Sequence, residues 1–306
     1  MARSNLLKTS DVTFQDLIGN GKKYHVPAFQ RDYSWEEEQW EDLWNDIIEL
    51  KDPDSRHYMG ALVVESKSDR EFQIIDGQQR LATLSILALA VIDVLQHLGS
   101  TDVEKAHNLD RATRLRERFI GEKDPASLQE SSKLFLNDTD NGFYQDYLVQ
   151  LRTPSNPRGL SRSNDLLWKC FRWFKEQLTT NNLNEGEALA GFLSETVARQ
   201  LLFILITVED ELSAYVVFET LNARGLELSS TDLLKNYLFS RISSQTDLAA
   251  LQRRWKTLMS TVKQERFPDF LRYHLLCDFP KIRKQRLFKQ VRDQVKLPQG
   301  VFALME

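Results

Sequence analysis

Apolar residues along this chain follow two different periods. Residues 59–65 and 71–75 are short apolar runs that flank a polar turn at 66–70, as is typical of two paired strands. After residue 80 the apolar spacing is helical, and it predicts helices at 80–98, 102–120, 166–178, 186–198, 211–220, 231–242, 247–262 and 267–277. Since strand patterns lie mainly within residues 20–76, we predict an α+β fold. A small sheet unit would occupy residues 1–98, and a mostly helical region would occupy residues 99–306.

Several weaker patterns complete this assignment. Residues 5–20 are predicted as a short helix with Ser10 or Asp11 as its cap. Another helix is predicted to begin at Ser34, since Glu37 stands at the capping-box position. Residues 121–133 are predicted to be a loop, and the prolines and glycine within 152–164 indicate a linker. The apolar run 201–208 is read as a buried strand because of its length.

Composition is that of an ordinary globular protein, with 42% hydrophobic and 27% charged residues among 306. The two cysteines, Cys170 and Cys277, are far apart and match no metal-site spacing, which favours a reducing compartment. Residues 1–20 lack the apolar core of a signal peptide. Residues 81–95 are apolar but shorter than a membrane span, and they include Asp93. We therefore expect a cytoplasmic protein without a membrane segment.

Charge is distributed unevenly. Residues 251–296 contain 13 Lys and Arg against 4 Asp and Glu, although the whole chain has a net charge of −4. Such a basic region can meet nucleic acid or an acidic partner. A solvated helical face explains the charge equally simply, and for the charge alone we prefer that interpretation.

The first group of candidate functional residues, Asp76, Gly77, Gln78, Gln79 and Arg80, stands where a predicted strand meets the long helix. The first amides of a helix are unpaired and carry partial positive charge, so they can hold an anion. Gly77 lets the backbone approach a ligand, and Arg80 offers a planar set of donors suited to phosphate. We predict a phosphate or nucleotide site in which Asp76 holds a metal ion or orients a water. The alternative is a helix cap by Asp76 with solvated neighbours.

The second group lies in residues 26–35, where aromatic residues alternate with Gln30 and Arg31. Arg31 could reach a phosphate while Tyr33 or Trp35 stacks on a base. The alternative is that Trp35 packs at the start of a helix and Arg31 pairs with a carboxylate. We favour packing for Trp35 and ligand binding for Arg31, whose only local partner is Asp32.

The third group lies at a predicted helix junction within residues 218–235. Gly225 suits a left-handed turn and Ser230 suits a helix cap, so turn chemistry explains both. It explains Asn222 and Lys235 less well, and these two are candidate ligand-binding residues.

Other catalytic patterns are missing from the sequence. It contains no glycine-rich loop followed by Lys-Ser/Thr, no His-Glu-x-x-His and no Cys-x-x-Cys. Its five histidines form no recognisable pair, and no nuclease site of the His-Asn-His type is visible. The chain alone is therefore not expected to cut DNA.

The three groups together resemble the N-terminal domain of GmrSD-type, modification-dependent (type IV) restriction proteins. Residues 27–35 match the box Pro-x-Phe-Gln-Arg-x-Tyr-x-Trp, and residues 75–80 match Ile-Asp-Gly-Gln-Gln-Arg. Residues 221–235 match Leu-Asn-x-x-Gly-x-x-Leu-x-x-x-Asp-Leu-Leu-Lys. Order and spacing agree over about residues 20–240, and three linked motifs are far more specific than one.

The resemblance implies a fold similar to the ParB/sulfiredoxin type, in which a strand–Gly-x-x-Arg–helix element binds nucleotide phosphates. It implies binding and hydrolysis of an NTP with Mg²⁺, coupled to defence against phage DNA that often carries modifications. Asp76 and Arg80 would then be catalytic, and Asp76 would hold the metal ion. The nucleotide would be bound by residues of all three motifs: Gln30, Arg31, Gly77, Gln78, Gln79, Asn222 and Lys235.

An HNH-type nuclease domain is also implied, C-terminal to this one. The sequence lacks it, so the chain is a fragment, the nuclease is a separate partner, or this member works without one. A homo-oligomer is among the expected assemblies. Two other hypotheses remain open. One is a non-enzymatic DNA-binding module whose footprint extends over residues 251–296. The other is an interaction protein that regulates a partner nuclease.

Overall fold

The computed structural model describes residues 7–19, 21–28, 30–123, 130–181, 183, 185–208, 230–242, 244–263, 266–276, 287, 290–291, 295 and 298–304. The chain forms two compact units, over residues 1–218 and 219–306. The predicted division at residue 98 stays a prediction, and the sheet of the first unit takes strands from both sides of it.

The strands of the first unit are β1 (Leu7–Thr13), β2 (Lys23–His25), β3 (His57–Ser66), β4 (Glu71–Asp76), β5 (Gly121–Lys123), β6 (Glu130–Ser132), β7 (Leu134–Phe135) and β8 (Leu201–Val208). Six of them form one mixed sheet in the order β1-β8-β3-β4-β2-β7, and β5 pairs with β6 separately. β3 runs antiparallel to β4 and parallel to β8. The mixed sheet with its many helices confirms the predicted α+β class, while similarity to the ParB/sulfiredoxin fold stays a prediction.

The helices of the first unit are α1 (Phe14–Ile18), α2 (Glu37–Ile48), α3 (Gln78–His97), α4 (Asp102–Phe119), α5 (Asn141–Phe143), α6 (Arg162–Thr180) and α7 (Gly186–Gly191). π-helical turns extend α5 over Tyr144–Val149 and α7 over Phe192–Gln200. The second unit contains α8 (Ser230–Ser240), α9 (Gln245–Val262), α10 (Phe267–Leu276) and α11 (Pro298–Leu304). The helices predicted at 80–98, 102–120, 166–178, 231–242, 247–262 and 267–277 are thereby confirmed, whereas the one at 211–220 lies outside the described residues.

Helix α3 is the centre of the first unit. Every residue from Leu81 to Asp93 is buried, so the helix is enclosed on all sides, as expected for one that is apolar around its whole circumference. Its 20 residues make it long and apolar enough to cross a membrane, but 78% of its most apolar window is buried inside the protein. The inference that this segment is too short for a span is therefore wrong. Its burial is that of a core helix.

The predicted helix over residues 5–20 is wrong in its first half. Residues Leu7–Thr13 form β1, which pairs antiparallel with β8 along its whole length. Helix α1 begins only at Phe14, and Thr13 rather than Ser10 or Asp11 is its N-cap. The backbone bonds supplied by β8 decide the structure here, since local propensity is a weak preference that tertiary pairing overrides.

Two other boundaries differ from prediction. Helix α2 begins at Glu37 rather than Ser34, and the N–H of Glu36 donates to Gln39 Oε1 at 2.8 Å at its start. Residues predicted as a loop within 121–133 include the paired strands β5 and β6.

Candidate functional site

The turn between β4 and α3 is built on Gly77. Its φ of 96° is left-handed, and a Cβ at this position would lie 2.7 Å from Leu62 Cδ1. Glycine alone fits both requirements. Helix α3 then starts at Gln78 without a side-chain cap and without an acidic residue in its first turn. The positive end of a long core helix is therefore left to the backbone amides, which is the arrangement that holds anions.

Gln79 fastens the loop of residues 30–36 to this helix. Its side chain is buried, with 5% exposed. Its Oε1 accepts from the N–H of Ser34 at 2.8 Å, and its Nε2 donates to the carbonyl of Asp32 at 3.2 Å. The amide thus satisfies the backbone of a loop 45 residues away in sequence.

Gln30 makes a second attachment between the same loop and the turn. Its Nε2 donates to the carbonyl of Ile75 at 3.0 Å, and its Oε1 accepts from Gln78 Nε2 at 3.3 Å. Its own carbonyl accepts from Asn137 Nδ2 at 3.0 Å. The structure therefore brings the first two sequence motifs together, although their glutamines serve the protein's own framework.

Tyr33 anchors the loop of residues 30–36 to helices α2 and α3. Its hydroxyl lies 2.8 Å from Thr83 Oγ1 on α3 and accepts from Trp40 Nε1 at 2.9 Å. Burial raises the pKa of this phenol well above its usual range. A ring enclosed in this way does not stack on a base, so that role is wrong for Tyr33. Trp35 packs against the core, as we favoured from the sequence.

Arg31 is the one cation among residues 30–36. It is half-buried, and its Nε is buried without a hydrogen-bond acceptor among the described residues. Asp32, the carboxylate named as its only local partner in the alternative interpretation, accepts from Asn137 Nδ2 at 2.8 Å. A buried donor without an acceptor is unusual, and an anion is a partner that would satisfy it.

Arg80 is engaged quite differently. Its Nη1 donates to the carbonyl of Met59 at 2.5 Å and its Nη2 to the carbonyl of Ala61 at 2.9 Å. Nη2 also lies 3.7 Å from Asp76 Oδ2, and both side chains are mostly buried. Asp76 Oδ1 accepts from the N–H of Gly77 at 2.8 Å, so this carboxylate binds the turn and does not cap the helix.

Comparison with known protein families decides the chain's relationship. Residues 14–239 match the model of the GmrSD restriction endonuclease, N-terminal domain. The chain belongs to this family. It is a component of a DNA-acting restriction system, and such systems serve in defence. Among curated proteins, no sequence matches it.

The matched region of this GmrSD domain reaches into the second unit. Asn222 lies outside the described residues, so its predicted role stays a prediction. Lys235 lies on α8, where its Nζ stands 5.8 Å from the centre of the Phe239 ring.

Metal binding in the GmrSD domain would rest on few ligands. Among the residues that the structure describes, no group of three or more His, Cys, Asp or Glu is placed to hold a metal ion. A single carboxylate, Asp76, stands at the β4–α3 turn. That suits Mg²⁺, which is commonly held by one or two carboxylates together with substrate phosphates.

Sequence reasoning missed two polar residues that organise the site, Asn137 and Asp140. Asp140 Oδ2 accepts from the N–H of Tyr33 at 2.7 Å, and burial raises the pKa of this carboxyl. Both residues lie in the polar run of residues 137–141 that follows the short strand β7. Asn and Asp concentrated after a strand are a turn signal, but nothing local shows that the turn supports a loop a hundred residues earlier.

Proposed function

We propose that this GmrSD domain binds an NTP at the β4–α3 turn and hydrolyses it. The observation that carries the proposal is Arg31, whose buried Nε lacks an acceptor in the described structure. Its loop is fastened by Gln30 and Gln79 to the turn before an uncapped helix. A phosphate group would supply that acceptor and would complement the positive end of α3.

Each element of the turn has a part in the proposed binding. Arg31 and the first amides of α3 hold phosphate oxygens, while Gly77 keeps the backbone close to them. Asp76 would hold Mg²⁺, which would neutralise phosphate charge. In hydrolysis, water attacks the γ-phosphorus and the bond to the β–γ bridging oxygen breaks, giving NDP and inorganic phosphate. Phosphoryl transfer of this kind depends mostly on positioning and charge stabilisation.

In the cell we propose that this NTP chemistry senses phage DNA, including modified DNA, and regulates an HNH-type nuclease domain or partner. The domain would act in the cytoplasm, and self-association is among the proposed assemblies. The nucleotide-binding roles of Asn222 and Lys235 stay predictions from the sequence.

The decisive experiment measures phosphate release from each of the four NTPs, with and without phage and host DNA. Arg31→Ala should lower turnover by about 10²–10³-fold, the usual cost of removing one charge partner of the transition state. Arg114→Ala is the matched control, because in the described structure Arg114 pairs with Asp110 of its own helix and is largely exposed. No phosphate release from any NTP by the unchanged protein, or equal turnover in both variants, would refute the proposal.

A specific observation also favours the DNA-binding alternative. Arg253, Arg254 and Lys256 are exposed on α9, within the basic region noted above. Replacing Arg253 and Lys256 with Gln should weaken binding to any duplex and flatten its dependence on salt, by about one unit of slope for each phosphate that the variant no longer neutralises. Fluorescence anisotropy with labelled DNA at several salt concentrations measures both effects. An unchanged slope would exclude this helix from the DNA interface.

A further inference from the structure

A notch in β3 lies beside the proposed nucleotide site and is shaped by Gly60. Its φ is +93°, and a Cβ here would lie 2.0 Å from Arg80 Nη1. The pairing of β3 with β8 shifts register between Tyr58 and Ala61, so the strand is irregular at this glycine. The absent side chain is what allows a guanidinium to approach the strand so closely.

Arg80 occupies that notch from the first turn of α3. Its two terminal nitrogens donate to the carbonyls on either side of Gly60, those of Met59 and Ala61. The same guanidinium lies 3.7 Å from Asp76 Oδ2. One planar cation therefore ties β3, the end of β4 and the start of α3 together, as the fixed fork of Arg permits and a lysine does not.

We propose that Arg80 is a positioning residue of the nucleotide site: seated in the Gly60 notch, it holds the Asp76 carboxylate in place and does not contact the nucleotide. This inference rests on the proposed function. It separates Arg80 from Arg31, since a phosphate can bind Arg31 without breaking any described hydrogen bond. Moving the Arg80 guanidinium to a phosphate would instead break its two hydrogen bonds to strand carbonyls, which is unfavourable in a part-buried site.

The first test needs no nucleotide, because it measures stability. Gly60→Ala, Arg80→Gln and the double variant are compared by chemical denaturation. If the notch exists to seat Arg80, the double variant loses much less stability than the sum of the two single losses, since contacting residues are not additive. Gly21→Ala is the matched control: Gly21 also has a positive φ of +71°, but nothing lies within 4 Å of its added Cβ. The stability lost in Gly21→Ala should add to the stability lost in Arg80→Gln. If the losses of Gly60→Ala and Arg80→Gln are also additive, the claim that Gly60 makes room for Arg80 is wrong.

The second test separates binding from turnover. Arg80→Gln and Arg80→Lys should lower NTP turnover by about 10²-fold, while the Kd for a non-hydrolysable NTP analogue stays within about twofold of the unchanged protein, the expected result for a group that makes no ligand contact. The double variant Asp76→Asn/Arg80→Gln should turn over NTP only slightly more slowly than Arg80→Gln alone. The reason is that both substitutions disrupt the same Arg80–Asp76 pair.

Three results would contradict the positioning role of Arg80 or the nucleotide function on which it rests. A rise of about tenfold or more in the analogue's Kd for both Arg80 variants would show direct phosphate contact and overturn the positioning role. Unchanged turnover in both variants would overturn it as well. No analogue binding by the unchanged protein would refute the proposed nucleotide function itself, and the stability cycle would still decide whether Gly60 exists to seat Arg80.

Discussion

Gln79→Met tests whether the buried amide holds the Arg31 loop to α3. Methionine keeps the length and the apolar stem of the side chain but removes its amide. The N–H of Ser34 then loses its acceptor at 2.8 Å, and the carbonyl of Asp32 loses its donor at 3.2 Å. The replacement should therefore release the loop without emptying the space that Gln79 fills.

The expected loss follows from those two hydrogen bonds. Each contributes about 0.5–1.5 kcal/mol net, so the free energy of unfolding should fall by about 1–3 kcal/mol. The first unit is a little over 200 residues long. At that size each kcal/mol lowers Tm by about 2–4 °C. Since the bonds join a loop to the core, we also expect faster amide hydrogen exchange within residues 30–36.

Gln96→Met is the control, because Gln96 is exposed on the same helix and undergoes the same chemical change. Urea unfolding gives the stability of both variants, and hydrogen exchange read by mass spectrometry gives the local effect. Equal midpoints and equal exchange at residues 30–36 in the two variants would refute the assigned role of Gln79. A loss of NTP analogue binding in Gln79→Met alone would connect the loop to the proposed site.

Four further outcomes are expected. Burial raises the pKa of Asp140 above its ordinary value of 3.8, so its contribution to stability falls as pH rises from there through the raised pKa, and Asp140→Asn should remove that loss in pH-dependent melting. Hydrogen bonds from Ser100 and Thr101 lower the pKa of Glu104 to about 2, so its contribution is present above 4.5 and is lost as pH falls towards 2; Glu104→Gln should abolish that dependence. Tyr33→Phe leaves Trp40 Nε1 without its acceptor and should cost about 1–3 kcal/mol in urea unfolding. Purified residues 1–306 should not nick modified or unmodified DNA with Mg²⁺ or Mn²⁺ and any NTP, as predicted from a sequence in which no nuclease site of the His-Asn-His type is visible.

Each of these has an outcome that contradicts it. If Tm changes with pH in the same way for Asp140→Asn and the unchanged protein between pH 4 and 7, the predicted effect of burying Asp140 is wrong. The same comparison between pH 2 and 5 decides the Glu104 case. A Tyr33→Phe variant as stable as the unchanged protein would mean that water replaces the hydroxyl. Dose-dependent nicking that disappears in Asp76→Ala would make the β4–α3 turn itself a nuclease.

Strands β3 and β4 and helix α3 could be predicted because each carries its pattern within a short stretch. Strand β4 is apolar towards its end and is followed by the turn residue Gly77, and α3 is mostly apolar from Leu81 to Leu95. Because strand ends and helix starts can face a common ligand, the sequence also predicts that Arg31, Asp76 and Arg80 converge on one cleft, and this stays a prediction. The sequence did not predict that Gln30, Gln78 and Gln79 would bind one another and the loop backbone.

Strand β1 could not be predicted, because nothing within Leu7–Thr13 shows the partner that makes it a strand. That partner, β8, follows nearly two hundred residues later, and the register from Leu7↔Val208 to Thr13↔Leu202 exists only after the chain has folded. A segment with mixed polar and β-branched residues is ambiguous by itself, and a neighbouring strand with free backbone groups resolves it.

The two motif arginines show why a residue's chemistry does not settle its role. Arg31 and Arg80 carry the same guanidinium, and the sequence motifs assign both to the same predicted phosphate site. What separates them is the local backbone: an irregular strand with a positive φ at Gly60 offers Arg80 two carbonyl acceptors, whereas the carboxylate nearest to Arg31 in sequence is occupied by Asn137. A cation whose donors are already satisfied stabilises the framework. One whose buried donor has no acceptor in the described structure is the better candidate for an incoming anion. We therefore expect anion binding at this site to depend on the loop that carries Arg31. We expect the position of the Asp76 carboxylate to depend on the notch that seats Arg80.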